Sequence, residues 1–296
     1  MELLHKMKYL LIIIFIVFTI PGFTRLATAE IKTVVLLHGL ARSSSSMNKL
    51  QKVLQDEGFN TCNIDYPSRK YHIEFLVHEY ILPQIKECVG DLNSEISFVS
   101  HSMGGIIVRY LAEKKLISHM GRVVMLSPPN QGSEIVDRIG KTKIFQIING
   151  PVGAELGTDS KSMPLRLGAA TFEVGIITGS RSINPILSLL IEGKDDGKVS
   201  IERAKLQGMK DFIILPSAHP FIMKNRIAIE QTIHFLNYGN FQKNRNFFPV
   251  VPLVDDGPCR KSSPGKLLFN TGKNRGLKQK QFPSGSANGK SISSTL

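Results

Sequence analysis

The sequence predicts an α/β protein with a parallel sheet of about six strands and helices on both faces. Its strand-like segments, such as TVVLL at 33–37 and VGIIT at 174–178, are apolar runs without polar alternation, which is typical of strands buried on both faces. Segments with helical spacing of apolar residues separate these runs. Alternating strands and helices favour parallel pairing through right-handed crossovers. Ligand sites in such sheets lie at the carboxyl ends of the strands, so functional residues are expected directly after them.

The predicted elements follow one another in a regular order. Strands are predicted at 33–37, 60–65, 96–99, 123–126, 174–178 and 212–215. Helices are predicted at 46–57, 74–88, 103–115 and 220–236, where apolar residues recur three and four positions apart. Gly58 is expected to end the first helix, and Pro83 to kink or split the second. The segment 130–172 has many glycines and only weak periodicity.

The composition excludes some classes of protein. The 296 residues are 42% apolar with a mean hydropathy of -0.01, which excludes a chain disordered throughout and a multi-span membrane protein. The formal net charge of +13 would favour a polyanionic partner if it were spread evenly. It is concentrated at the ends, however, with +2 in residues 1–29, +8 in 241–296 and only +3 in between. The sequence therefore predicts no specific nucleic-acid binding.

The amino terminus has the pattern of an export signal. Lys6 and Lys8 precede an apolar run at 9–20, and small residues follow at Ala27-Thr28-Ala29. Twelve apolar residues span only about 18 Å as a helix, less than the ~30 Å hydrocarbon core of a bilayer. The pattern therefore predicts a signal peptide over 1–29, with an uncleaved membrane anchor as the alternative. Either way the protein is expected to be exported, in the periplasm, associated with the envelope or outside the cell.

Behind this segment the chain divides into a body, 30–240, and a tail, 241–296. In an oxidising compartment Cys62 and Cys88 of the body could be oxidised, but the sequence does not say whether they pair. From 257 onwards the tail has no acidic residue, and 16 of its 40 residues are Gly, Pro or Ser, which predicts disorder. Two interpretations of the tail stay open: weak attachment to anionic lipid or another polyanion, and a dispensable extension.

The strongest functional signal follows the third predicted strand. The sequence Ser100-His101-Ser102-Met103-Gly104-Gly105 leads directly into a helix. A tight strand-to-helix turn with Ser102 at its apex raises the hydroxyl above the sheet, at a helix amino terminus. Such a turn is strained and needs small residues two positions away on either side. Gly104 is small, and Ser100 stands where the usual pattern has Gly, so some crowding is expected.

A serine nucleophile requires a base and an orienting acid, and both have candidates after later strands. In this architecture the chain order is Ser, then Asp or Glu, then His. Asp195 and Asp196 follow the fifth strand and His219 follows the sixth. We therefore predict His219 as the general base and acid, with Asp196 as the preferred partner of its imidazole. Asp195 stays open as the alternative, and whichever aspartate is not used is expected to lie in a solvated turn.

Two backbone amides are expected to stabilise the oxyanion of the reaction. The amide of Met103, directly after the nucleophile, is one of them. The amide of Leu40, in the loop after the first strand, is the other, and Gly39 allows the backbone to approach the substrate there. His38 is expected to make structural hydrogen bonds, and His101 to pack beside the turn.

Together these motifs resemble those of the α/β-hydrolase superfamily, in particular its small secreted bacterial lipases and esterases. The matching residues lie within about 31–241: His38-Gly39, Ser100–Gly105, Ser127–Ser133, Asp195–Gly197 and His219. The resemblance implies the α/β-hydrolase fold without its first two strands and a small variable cap over 130–172. Apolar residues there could form a lid or acyl pocket, or simply pack on the sheet: Ile144, Phe145, Ile147, Ile148, Val152, Leu156, Leu165 and Leu167.

The sequence thus predicts a serine hydrolase that cleaves small-molecule or lipid carboxylic esters without a metal or organic cofactor. Ser102, Asp196 and His219 are the predicted catalytic residues, and the amides of Leu40 and Met103 the predicted oxyanion hole. Acyl transfer by the same residues is the first alternative, and a non-catalytic, envelope-associated binding protein is the second. The sequence leaves the oligomeric state open.

Overall fold

One parallel sheet organises the protein. The computed structural model describes residues 32–243. The sheet has six strands in the order β2-β1-β3-β4-β5-β6, and every pairing in it is parallel. The strands are Thr33–Leu37 (β1), Asn60–Ile64 (β2), Glu95–His101 (β3), His119–Leu126 (β4), Val174–Gly179 (β5) and Asp211–Leu215 (β6). The predicted fold class is therefore confirmed.

Helices connect the strands and flank the sheet. The α-helices are Asn48–Asp56 (α1), Ile73–Leu76 (α2), Leu82–Val89 (α3), Met103–Glu113 (α4), Glu134–Ile139 (α5), Lys143–Ala154 (α6), Met163–Arg166 (α7), Pro185–Ser188 (α8), Ile201–Ala204 (α9) and Arg226–Tyr238 (α10). A 3₁₀ turn, Ser44–Met47, leads into α1, and a π-helical turn, Val77–Ile81, joins α2 to α3. A second 3₁₀ turn, Ile222–Lys224, precedes α10.

Two predicted helices differ in detail from the structure. The predicted helix 74–88 is divided by the π-helical turn, and Pro83 lies in the first turn of α3, where a missing amide costs little. The last helix was expected from 220 but α10 begins at Arg226. Its start is set by Asn225, whose side chain accepts a hydrogen bond from the amide of Ala228 at 3.2 Å and so caps the helix.

The sheet separates two apolar cores. Val35 and Leu37 of β1 pack on one face, with residues of α3 and α4. Val34 and Leu36 pack on the other face, with residues of α1 and α10. This alternation follows from the two-residue period of a strand, and it explains why β1 is apolar at every position after Thr33.

Cys62 and Cys88 form a disulfide with a Cα–Cα distance of 6.0 Å. The bond ties β2, at one edge of the sheet, to α3. At the other end of the fold, the side chain of Phe241 packs on Phe235 with ring centroids 5.0 Å apart. The folded body therefore includes the first residues of the segment 241–296.

The predicted signal peptide, 1–29, and the tail from 244 onwards lie outside the described residues. None of the helices between 32 and 243 has the length and apolar character that a membrane span requires.

Candidate active site

The turn between β3 and α4 carries Ser102 in a strained conformation. The backbone of Ser102 has φ 53° and ψ -123°, a combination that is costly for any residue with a side chain. Two backbone hydrogen bonds hold it, from the amide of Ser102 to the carbonyl of Leu126 and from the amide of Gly105 to the carbonyl of Ser102, each 2.9 Å long. The serine is half-buried, and its side chain lines a cavity.

The residues on either side of Ser102 meet the predicted size limit. A Cβ on Gly104 would lie 2.6 Å from the carbonyl oxygen of Leu37, so only glycine fits there. Ser100 is completely buried, and its hydroxyl has no hydrogen-bond partner among the described residues. The serine that replaces the usual glycine is thus accommodated, at the cost of an unsatisfied polar group.

His219 lies between Ser102 and Asp196. Its Nε2 is 3.0 Å from Oγ of Ser102, and its Nδ1 is 2.8 Å from Oδ2 of Asp196. An ionised carboxylate can only accept hydrogen bonds, so the proton of the neutral imidazole is on Nδ1. Nε2 therefore offers a lone pair to the hydroxyl of Ser102.

Asp196 is completely buried and is held as a carboxylate by several donors. The amides of Val199 and Lys198 donate to its Oδ1 at 2.9 and 3.1 Å. Burial alone would raise the pKa of Asp196, but His219, the Ser127 hydroxyl and the Val199 amide together lower it below its ordinary value. The carboxylate thus remains charged in the interior and can stabilise an imidazolium at His219.

Asp195 does not contact His219. Its Oδ1 instead accepts hydrogen bonds from the Ser188 hydroxyl at 2.8 Å and the Gly197 amide at 2.6 Å. Only 9% of Asp195 is exposed, so the expected solvated turn is wrong for this residue. Asp195 stabilises the loop that carries Asp196.

The loop after β1 passes directly over the serine turn. A Cβ on Gly39 would lie 3.0 Å from Cβ of Ser102 and 2.8 Å from Nδ1 of His101, so this close approach requires glycine. Leu40 follows and lines the cavity. Among the described residues, no acceptor contacts the amide of Leu40. Met103 is the first residue of α4, where amides have no partner within the helix.

His38 and His101 are buried residues that hold this region together. His38 stacks on Tyr66 with ring centroids 3.9 Å apart and donates from Nδ1 to the carbonyl of Gly39 at 2.9 Å. His101 donates from Nε2 to the backbone carbonyl of His219 at 3.0 Å. Burial lowers the pKa of His38, and burial together with the neighbouring His219 lowers that of His101 well below its ordinary value. Both imidazoles are therefore neutral.

Two of these contacts were not predicted from the sequence. His101 was expected only to pack beside the turn, because a side-chain bond to the carbonyl of His219, 118 positions away, leaves no local pattern. No individual role was predicted for Ser127, which has an unusual φ of 49°. Its position directly after β4, within the family-like segment Ser127–Ser133, was the available signal.

A cavity of about 420 Å³ opens over Ser102 and His219. Part of its wall comes from the segment predicted to form a cap. Ile144, Phe145, Ile148 and Leu156 line it, whereas Val152 and Leu167 pack in the core and Ile147 and Leu165 are exposed. Some of the apolar residues of this segment thus line a pocket, and others pack in the core. Ile183 and Leu187, after β5, complete an apolar wall that the sequence did not indicate.

Comparisons with known proteins agree with this architecture. Residues 28–139 match the family described as "Putative serine esterase (DUF676)". No curated protein matches the chain. The lipase BlEst2 of Bacillus licheniformis in its mature form is structurally similar, with a TM-score of 0.53 and 19% identity over 70% of this chain and 93% of that chain. Its propeptide form gives 0.54 and 19% over 72% of this chain, which spans about half (51%) of that form.

The sheet and these structural similarities show that the chain has the α/β-hydrolase fold. The family match supports hydrolysis of esters as the general class of activity. The matched segment includes Ser102 but ends before Asp196 and His219, so the roles of individual residues depend on the geometry described above.

Proposed function

We propose that this protein is a serine hydrolase that cleaves carboxylic esters through an acyl-enzyme. The observation that supports this most strongly is the hydrogen-bonded series from Ser102 through His219 to Asp196. It opens into a largely apolar cavity, which suits the acyl chain of an ester.

In the first half of the reaction, the hydroxyl of Ser102 attacks the ester carbonyl carbon while Nε2 of His219 takes its proton. Asp196 stabilises the resulting imidazolium. The amides of Leu40 and Met103 donate to the oxyanion of the tetrahedral intermediate. When this intermediate collapses, the bond to the alcohol breaks and His219 returns the proton to the leaving oxygen.

In the second half, a water molecule attacks the acyl-enzyme. His219 again takes a proton, the bond to Oγ of Ser102 breaks, and the carboxylic acid leaves while the proton returns to the serine. Acyl transfer would replace the water with an alcohol at the same step, so the residues involved would be identical. A binding protein without catalysis would need none of these hydrogen bonds, which is why we favour the enzyme.

Hydrolysis of p-nitrophenyl esters of increasing chain length tests this proposal. We expect the wild type to turn over these esters and Ser102→Ala to lose at least about 10³-fold in kcat. Ser97→Ala is a matched control because Ser97 is a serine of the adjoining strand β3 that does not line the cavity, and it should retain activity. A fluorophosphonate probe should add its mass to the wild type and not to Ser102→Ala. Equal turnover by the wild type and Ser102→Ala would refute the proposal.

We also propose that the protein is exported. The disulfide between Cys62 and Cys88 supports this, because such bonds persist in oxidising compartments. Fractionation of cells that produce the full chain should recover it outside the cytoplasm, with a mass that shows whether the segment 1–29 is removed. Recovery in the cytoplasm with reduced cysteines would contradict export.

A further inference from the structure

Two cationic residues, Arg42 and Lys198, line the largely apolar active-site cavity. We propose that Arg42 and Lys198 form an anion subsite, and that the preferred substrate is an ester that carries a phosphate group beside an apolar acyl chain. This proposal rests on the proposed esterase function and specifies the substrate class of the same site. A lysophospholipid with a phosphate head group has the required chemistry.

Both cations are connected closely to the proposed catalytic groups. Arg42 comes two residues after Leu40, and the intervening Ala41 has a left-handed φ of 56°, so the backbone turns sharply between them. Lys198 comes two residues after Asp196, and its amide donates to Oδ1 of that residue at 3.1 Å. Both side chains line the cavity that also exposes Ser102. A group bound between them would thus lie beside the scissile ester.

Neither cation has a partner within the described part of the chain. No carboxylate between residues 32 and 243 lies within 4.0 Å of either charged group, and neither side chain donates a hydrogen bond there. By contrast, the partly buried Arg203 pairs with Glu134 at 2.5 Å. Arg42 is partly buried and Lys198 is exposed, so both cations are accessible to an anion in the cavity, and binding one would offset the cost of desolvating Arg42.

The two cations also act on one another. Partial desolvation beside the protein surface lowers the pKa of both groups, and the Arg42 guanidinium lowers that of Lys198 further, against the opposing effect of Asp196. An anion between them would relieve this repulsion. Phosphate fits better than a carboxylate, because it carries one or two negative charges and offers several oxygens. A guanidinium can bind two of these side by side, and an ammonium can bind a third.

The apolar residues of the cavity favour a substrate that also has an apolar part. Ile135, Ile144, Phe145, Ile148 and Leu187 line the same cavity. An acyl chain would bury there, while a neutral glyceride would leave the two cations without a partner. Both features together indicate an amphiphile with one anionic end.

Binding to the full chain with Ser102→Ala tests the subsite without any turnover. Titration calorimetry would compare dodecyl phosphate, dodecanoate and dodecanol. We expect dodecyl phosphate to bind at least about 10-fold more tightly than dodecanol, as for a charge-assisted contact. Adding Arg42→Gln and Lys198→Gln should remove this preference. Lys194→Gln is the matched control, because this lysine is on the same loop and exposed but does not line the cavity.

Turnover by the protein that retains Ser102 supplies the second measurement. With one acyl chain throughout, kcat/KM for 1-acylglycerol 3-phosphate should exceed that for 1-acylglycerol by about 10-fold or more, and the double variant should abolish this ratio. Equal affinities for dodecyl phosphate and dodecanol, or a preference for dodecanoate, would overturn the phosphate subsite. If the wild type bound dodecyl phosphate but turned over no ester, the esterase proposal would be refuted and the anion subsite would stand.

Discussion

Asp196 binds His219 through both its side chain and its main chain. Oδ2 of Asp196 accepts the Nδ1 proton of His219 at 2.8 Å, and the carbonyl oxygen of Asp196 accepts the amide proton of His219 at the same distance. The loops after β5 and β6 are therefore joined at these two residues. These two hydrogen bonds orient the imidazole of His219 so that it faces Ser102.

The first prediction separates the two adjacent aspartates. Asp196→Asn should lower kcat for p-nitrophenyl butyrate by about 10³–10⁴-fold, because an amide would favour the wrong tautomer of His219. Asp195→Asn should change kcat less than about 10-fold, since its amide oxygen can still accept from Ser188 and Gly197. Steady-state kinetics of both variants, with circular dichroism to verify folding, would measure this. If Asp195→Asn had the larger loss, the assignment would be reversed.

The sequence predicted the strands of this fold well, for a physical reason. Both faces of β1 and β5 are buried, so these strands appear as continuous apolar runs. β4 begins at His119, four residues before its predicted start, because its first residues lie near the edge of the core and are not uniformly apolar.

The site was harder to predict than the fold. The order of Ser102, Asp196 and His219 along the chain was visible, but the sequence supported only a preference for Asp196 over the adjacent Asp195. They occupy neighbouring positions of one turn, and only the direction of each side chain separates them. The contact between Cys62 and Cys88, the bond from His101 to the carbonyl of His219 and the convergence of Arg42 with Lys198 all join distant segments.

The second prediction concerns the buried hydroxyl of Ser100. Ser100→Ala should raise the free energy of unfolding by about 1 kcal/mol, because it removes a polar group that has no partner among the described residues. For a domain of this size this corresponds to an increase in Tm of about 2–4 °C, measured by differential scanning calorimetry. The kinetic constants should stay the same. A fall in Tm would contradict this prediction, because the hydroxyl would then stabilise the folded protein.

The third prediction concerns the disulfide. Cys62→Ala combined with Cys88→Ala should lower the free energy of unfolding by about 3 kcal/mol, because the bond closes a loop with a sequence separation of 26 residues. Urea denaturation of both proteins would measure this. The kcat of the folded variant should match the wild type, since neither cysteine lines the active-site cavity. Unchanged stability would show that the bond does not form in the native protein.

The fourth prediction concerns acid and the buried imidazole of His101. Its folded pKa lies well below the ordinary value of 6.5, chiefly because of burial, so below that pH the unfolded chain binds a proton that the folded protein does not. The free energy of unfolding should therefore fall as the pH decreases through this range, by up to about 1.4 kcal/mol per pH unit for this group. The contribution of the unprotonated His101 to the free energy of unfolding is fully present above pH 6.5.

His101→Gln isolates this contribution. The glutamine side chain can still donate to the carbonyl of His219 but cannot titrate, so the slope of stability between pH 6.5 and 5 should become shallower by up to about 1.4 kcal/mol per pH unit. His101→Leu, which loses the donor as well, should show the same shallower slope and in addition a lower kcat, because the His219 loop loses its anchor. Urea denaturation at several pH values would measure both slopes. An unchanged slope in both variants would mean that folding does not lower the pKa of His101.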